Sequence, residues 1–215
     1  GGDLLPWLAK HGYPIYCYEI GKMGDLGNIP SYLETMNDVL HGRFPSMSEL
    51  MPRMSLGSEL YNIERESLEM ADPITHLTLG EKIEKGLVNI KAPVRIGKYV
   101  RVFPGVTISD ANIDDDCEIF ENATIIRSSI GAGSMIGPFS VIEDTLTGTM
   151  VELQSSEKAP VILRRFVAIG DEVVIRGGVE LDDSITIFPR LKVPAGIKVP
   201  ANTDIESADK MLEYL

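Results

Sequence analysis

Residues 169–205 read IGDEVVIRGGVELDDSITIFPRLKVPAGIKVPANTDI, with an aliphatic residue at every sixth place: Ile169, Ile175, Leu181, Ile187, Val193, Val199 and Ile205. A second series runs upstream through Ile90, Ile96, Val102 and Ile108, then Ile113, Ile119 and Ile125, then Ile130, Ile136 and Ile142. Four places after most of these stands a small or aliphatic partner, among them Val100, Val106, Cys117, Ala123, Ser129, Ser134, Ser140, Val173, Val179, Ile185 and Ile197. A helix repeats near 3.6 residues and a strand near 2, so neither alone yields six. A period of six marks a parallel β-helix built from hexapeptides. Three hexads close a triangle of about eighteen residues, and the next coil stacks about 4.8 Å above it. The first aliphatic residue of each hexad faces inward, and its partner packs near the corner.

Glycine and proline supply corner residues, from Gly97, Pro104 and Gly105 to Pro194, Gly196 and Pro200. The register slips by one residue at Ile108 to Ile113 and at Ile125 to Ile130, where a five-residue step tightens a corner. From Glu143 to Ala159 the aliphatic period stops, which predicts a loop leaving the prism. Lys91-Ala92-Pro93-Val94 and Lys158-Ala159-Pro160-Val161 are matching openings to regular runs. The hexads predict five or six coils, a prism on the order of 25–30 Å long.

The chain has 215 residues, 44% hydrophobic and 24% charged, with net charge -12. That balance suits a globular core, and the acidity disfavours nucleic acid or an anionic membrane as main partner. No apolar run approaches the roughly 18 residues of a membrane span. Cys17 and Cys117 lack metal-ligand spacing. Cys117 fills a small-residue slot as a buried thiol, and a reducing, cytoplasmic setting is the default.

The first seventy residues differ in texture. The opening Gly1-Gly2-Asp3-Leu4-Leu5 has no initiator Met and reads as the interior of a longer protein. Asp3 is placed to cap a helix Leu4–Lys10 closed by Gly12. Tyr13 to Ile20 alternates as a strand. A glycine-rich turn from Gly21 to Asn28 precedes a helix from about Pro30 to Leu40. Ser31 and Glu34 fit a capping box, Gly42 fits the stop, and Tyr32, Met36, Val39 and Leu40 form the apolar face. Ser58 to Met70 reads as a helix, with a strand as the competing reading.

Asp3-Leu4-Leu5-Pro6-Trp7-Leu8, Pro14-Ile15-Tyr16-Cys17-Tyr18, Gly21-Lys22-Met23-Gly24-Asp25-Leu26-Gly27 and Pro30-Ser31-Tyr32-Leu33-Glu34, in that order, resemble the last segment of the catalytic domain of sugar-phosphate nucleotidyltransferases. Many members of that family carry a left-handed hexapeptide β-helix after this domain. The resemblance therefore implies a mainly β chain with three parts. Residues 1–72 would be an α/β remnant of the catalytic domain, 73–205 a left-handed parallel β-helix, and 206–215 a capping helix. It implies transfer of a nucleotidyl group from a nucleoside triphosphate to a sugar-1-phosphate in the complete, cytoplasmic enzyme. It also implies a homo-oligomer assembled through the β-helix. Asp25 matches the family's metal-binding Asp, so it would ligate Mg²⁺ in the parent. The reading from residues alone is that Asp25 satisfies turn backbone. The family has an aromatic residue two places before this Asp, where this chain has Met23. Its glycine-rich nucleotide loop with the catalytic Arg, and its sugar-phosphate Lys, have no counterpart here, so no catalytic residue is assigned to this fragment.

Other candidates have plainer readings. Gly21 and Gly27 suit turns, Tyr16 and Tyr18 packing, and Asp114-Asp115-Asp116 a solvated corner. Arg164 and Arg165 could hold a phosphate or a neighbouring subunit's carboxylate, but suit a surface face. Hexapeptide acyltransferases need a His base. The only histidines are His11, His41 and His76, all ahead of the prism, which disfavours that chemistry and a multi-His zinc site alike. A non-catalytic assembly or regulatory subunit of the same architecture is the remaining alternative. The tail from Asp204 to Leu215 is expected to fold back as a helix with Ile205, Met211, Leu212 and Leu215 on its apolar side.

Overall fold

The computed structural model describes residues 3–16, 18, 19, 21–48, 50, 54–56 and 59–215. Three stacked ladders of inward side chains build its core. One runs Val102, Ile119, Ile136, Leu153, Ile175, Val193, each paired in parallel with the next. The second runs Ile90, Ile108, Ile125, Ile142, Leu163, Leu181. The third begins with Ile63 on Ile96 and Ile113 on Ile130, and ends with Ile169, Ile187 and Ile205. Nearly all of these side chains are shut off from solvent. The result is a parallel β-solenoid of about six turns that fits the left-handed β-helix. Val199 departs from the pattern and stays half-buried at the last coil.

The period does not stop at Glu143. Thr145–Thr147 and Glu152–Gln154 are strands in register with the coils on either side. Leu146 pairs with Ser129 and with Ala168, which puts Thr147 on the inward ladder between Ile130 and Ile169. Thr147 is tolerated there because its Oγ1 accepts a hydrogen bond from the Gly131 N–H at 3.1 Å. Ile142 to Thr147 is thus a third five-residue step, and Leu153 follows six places later. The excursion from the prism shrinks to the segment around Ser155–Pro160, pinned by a bridge between Ser156 and Ala159.

Five-residue steps also move the corner partner. After Ile125 the slot two places before the next rung belongs to Ser128, wholly buried, whose Oγ donates to the Ile126 carbonyl. Ser129, expected there, instead accepts from Asn112 Nδ2 between neighbouring coils. Glycine is required where coil backbones nearly touch. A Cβ on Gly131 would lie 2.3 Å from the Gly148 carbonyl oxygen, and one on Gly137 would lie 2.3 Å from that of Leu153. Many corners, however, turn through non-glycine residues at positive φ. Tyr99, Asp116, Met150, Glu172 and Arg190 share one corner at φ 54 to 64.

Cys117 is buried as expected, its Sγ 3.3 Å from the Gly131 carbonyl, and burial pushes its thiol up to about 11. With so little thiolate, native Cys117 should alkylate about a hundredfold more slowly at pH 8 than in the denatured chain. Peptide mass spectrometry after iodoacetamide treatment checks this, and equal rates would refute it.

Both ends are closed by local elements. Ahead of the first coil, strands β1 (Met54–Leu56) and β2 (Glu59–Ile63) form an antiparallel pair. The single helix expected from Ser58 to Met70 is instead β2 and a short helix, Arg65–Glu69, with Ser58 outside the described residues. Ile63 decides this, because it fills the first inward slot beside Ile96. A second helix, Leu79–Glu84, has a full capping box between Thr78 and Glu81. It carries Lys82, whose Nζ donates to the Val102 carbonyl at 2.7 Å and pairs with Asp72, both charges buried. Lys82 thereby stands in for the amide of a strand that the first coil lacks. At the far end, helix Ala208–Leu212 folds back near Ile205 and buries Met211. Leu212 and Leu215 stay exposed, unlike the expected apolar face.

The first segment contains α1 (Leu4–Lys10), which buries no residue and whose Asp3 makes no side-chain cap. Residues 13–16, 18 and 19 form no strand, and Cys17 and Ile20 lie outside the described residues. Helix α2 (Ile29–Leu40) is capped by Asn28, whose Oδ1 accepts from Ser31 N–H at 2.9 Å; this displaces the expected Ser31–Glu34 box by one turn position. It packs against the third face of the prism, at Asn89–Ile96, Thr107–Ile113 and Thr145–Thr147.

Candidate functional site

Three clefts lie along the seam between α2 and the prism, and the Asp25 turn hangs from the same helix. A cavity of about 380 Å³ lies between Tyr32 and the outer side of Leu146, Ala168 and Thr186, with Phe188 and Pro189 on its rim. A second, about 290 Å³, lies between Met36, Val39 and Leu40 of α2 and Arg95 and Asn112 of the prism. A third, about 260 Å³, lies where α2 meets one corner, lined by Leu33, Met36, Asn37, Asp110, Arg127, Asp144 and Phe166 among others. All four expected apolar-face residues, Tyr32, Met36, Val39 and Leu40, therefore line clefts, and of these Leu40 is buried.

Two contacts hold the Asp25 turn to α2, an ion pair from Lys22 and a hydrogen bond from Thr35. Lys22 pairs with Asp38, and its ammonium sits 5.5 Å over the Phe44 ring. Arg43 pairs with the same carboxylate. Hydrogen bonds from Lys22 and then Arg43 hold the Asp38 carboxyl below its ordinary value. Thr35 Oγ1 donates to the Asp25 carbonyl at 3.1 Å. Gly24 allows that contact, since a Cβ there would lie 2.3 Å from Thr35 Cγ2. Asp38 was not legible as a site residue, because an acidic residue late in an amphipathic helix reads as solvated face.

Asp25 itself is exposed, and its Oδ1 accepts from the Gly27 N–H at 2.9 Å. That is the turn-satisfying role open to it from the sequence. Among the described residues no group of three or more His, Cys, Asp or Glu side chains is placed to hold a metal ion. Asp25 thus belongs to no such group among the described residues. Tyr16 and Tyr18 are each 90% exposed, so they are not packed as the sequence suggested. Met23, where the family has an aromatic residue, is exposed as well.

The arginines singled out from sequence are held by carboxylates of neighbouring coils. Arg165 Nε donates to Asp182 at 2.6 Å, and Arg164 Nε lies 3.5 Å from Glu143 without a formed hydrogen bond. Arg127 grips Asp144 through two bonds of 2.6 and 2.8 Å. Opposite charges spaced by one coil are the signal that finds these pairs, and seventeen residues separate each of Arg127–Asp144 and Arg165–Asp182. The acidic corner is a turn: Asp115 accepts from Lys98 N–H at 2.8 Å, and Asp114 from Asp115 N–H at 3.0 Å. Both His11 and His41 bond carbonyls one helical turn back, as helix-end residues do.

No family model matches the chain. The bifunctional protein GlmU of Acidithiobacillus ferrooxidans, from each of two strains, is 30% identical over 120 residues, which is 53% of this chain and 26% of that protein. The chain thus spans about a quarter of the length of these curated relatives. A solved structure of AntD, an N-acyltransferase from Bacillus cereus with bound dTDP-4-amino-4,6-dideoxyglucose and coenzyme A, is 14% identical and covers 56% of this chain and 85% of its own, with a TM-score of 0.26. The 120-residue similarity to GlmU agrees with the β-solenoid that the six-residue coils build.

Proposed function

We propose that the chain is the C-terminal portion of a sugar-1-phosphate nucleotidyltransferase, which joins a nucleoside triphosphate and a sugar-1-phosphate and releases pyrophosphate. The observation that supports this most is the 30% identity to GlmU, in a chain whose solenoid has the repeat of that family's C-terminal part. In this reading residues 1–72 close the catalytic domain, 73–205 form the assembly prism, and 206–215 cover its last coil. Asp25 contributes one carboxylate to Mg²⁺, which would neutralise charge on the phosphates in the complete active site. The chain's own part is positional. The Lys22–Asp38–Arg43 cluster and the Thr35 bond keep the Asp25 turn on α2, and α2 sits on the prism. The prism in turn makes the protein a cytoplasmic homo-oligomer. The net charge of -12 disfavours nucleic acid and an anionic membrane as its main partner, and among the described residues no helix is long and apolar enough to cross a membrane.

The full-length gene product, assayed for pyrophosphate release over a matrix of triphosphates and sugar-1-phosphates with Mg²⁺, tests the reading. Turnover with one pair, lost on Asp25→Asn without loss of fold, is the expected result. The exposed Met23 in an aromatic position favours a second reading, a non-catalytic assembly subunit. Absence of turnover with every pair, together with a sedimenting mass well above 23.6 kDa for this chain, would select it.

A further inference from the structure

Helix α2 is attached to the prism differently from the helices at the two ends. Leu79 of the helix Leu79–Glu84 and Met211 of the helix Ala208–Leu212 belong to the continuous core that runs through the ladders. The buried apolar residues of α2, Leu33 and Leu40, lie outside that core. Clefts of about 380, 290 and 260 Å³ run along the seam, where close packing would otherwise supply contacts.

The polar contacts around α2 close on the segment itself. Lys22 and Arg43 meet on Asp38, Thr35 Oγ1 donates to the Asp25 carbonyl, Asn28 Oδ1 accepts from the Ser31 N–H, and His41 bonds the Asn37 carbonyl. Among the described residues, no side chain of 21–43 forms a hydrogen bond or ion pair with the prism. The segment therefore keeps its own polar network when it leaves the prism, and Leu33 and Leu40 are its main apolar anchors. Each internal coil, by contrast, is gripped from above and below by side chains shut off from solvent. Two parts of such unequal burial do not open together, and the weaker joint opens first.

We infer that residues 21–43 form a latch, which lifts from the third face of the prism as one cooperative unit while the coils stay folded. Lifting carries the Asp25 turn away with α2 and uncovers the outer side of Leu146, Ala168 and Thr186, which now face Tyr32 across a cleft. Hydrogen exchange of this chain, read by mass spectrometry, tests the latch. A helix of 12 residues is marginal alone, so each lifting exposes the α2 amides to exchange. Peptides spanning Ile29–Leu40 should show protection of about 10²–10⁴, which is the burial of two leucines written as an equilibrium constant. Amides of the ladder strands between Ile119 and Ile142 should be protected about a hundredfold more, or better. Low urea should leave the α2 rate nearly unchanged and speed ladder exchange steeply, because only global opening exposes much surface. Leu33→Ala should lower α2 protection about tenfold or more without moving the urea midpoint of the prism. Ile125→Ala should do the reverse, lowering the midpoint and leaving α2 protection in place. One protection factor shared by α2 and the ladders, falling together in urea, would overturn the inference, because every opening would then be global. So would a midpoint shift in Leu33→Ala as large as that in Ile125→Ala. Protection of α2 below about tenfold would overturn it from the other side, since no docked state would be left to release. None of these readouts depends on nucleotidyl transfer, so they stand or fall apart from the proposed function.

Discussion

Replacing Lys82 by Met should lower the unfolding free energy by about 3–5 kcal/mol, because it leaves the Asp72 charge buried and alone. For a chain of this size that is a fall in Tm of about 6–20 °C. The Val102 carbonyl also loses its donor at the open edge of the first coil. Lys82→Met with Asp72→Asn removes the stranded charge and should recover about 1–2 kcal/mol of the loss, a coupling that a double-mutant cycle in urea measures. If the two changes simply add, the pair is not the element that closes this end. The same pair sets an acid limit. Burial pushes the Asp72 carboxyl upward, but bonds from Lys82, Thr75 and the Ile74 and Thr75 amides outweigh it and hold the carboxyl well below the ordinary range. A depressed carboxyl contributes stability above its unfolded value of about 4, and that contribution is lost as pH falls below it. Stability measured from pH 6 to pH 3 should therefore decline less steeply in Asp72→Asn than in the parent.

The second large effect is expected in the middle of a ladder. Ile125 lies between Ile108 and Ile142, fully buried, and its truncation to Ala should cost about 2–5 kcal/mol through lost burial and the cavity left in a stack that cannot collapse from above or below. The same change at Ile205, in the last coil, removes contacts on one side only and should cost markedly less. In a solenoid each coil contacts its neighbours alone, so an internal cavity weakens two interfaces and a terminal one weakens one. Denaturant melts of the two variants compare them directly. Equal costs would mean that the coils do not stack as a nearest-neighbour array.

The sequence carried the prism almost whole, because inward residues in a solenoid recur at fixed intervals and only shape-compatible aliphatic side chains stack in line. The reading failed where chemistry and periodicity parted. Thr147 holds an isoleucine slot through a hydrogen bond to Gly131, so an eye set on aliphatic residues saw a loop where two strands run. Ser128 replaced Ser129 because a five-residue step keeps the partner two places before the next rung, not four after the last. Ahead of the prism the signals were local. They placed α1 and α2 closely, yet missed the strand at Glu59–Ile63, whose partner Asn89–Ile96 lies some thirty residues away.

What the linear chain determined is the coil: spacing dictates which side chains face inward, since neighbouring residues of a strand point to opposite faces. What only the tertiary structure decided is everything that depends on distance between coils and on α2. Arg127 meets Asp144 and Lys82 finds the Val102 carbonyl because stacking brings side chains about a coil apart within a few ångströms, and Asp38 gathers Lys22 and Arg43 from either side of α2. Hydrophobic periodicity encodes a direction for each residue. Charge pairing and cavities need the third dimension that those directions build.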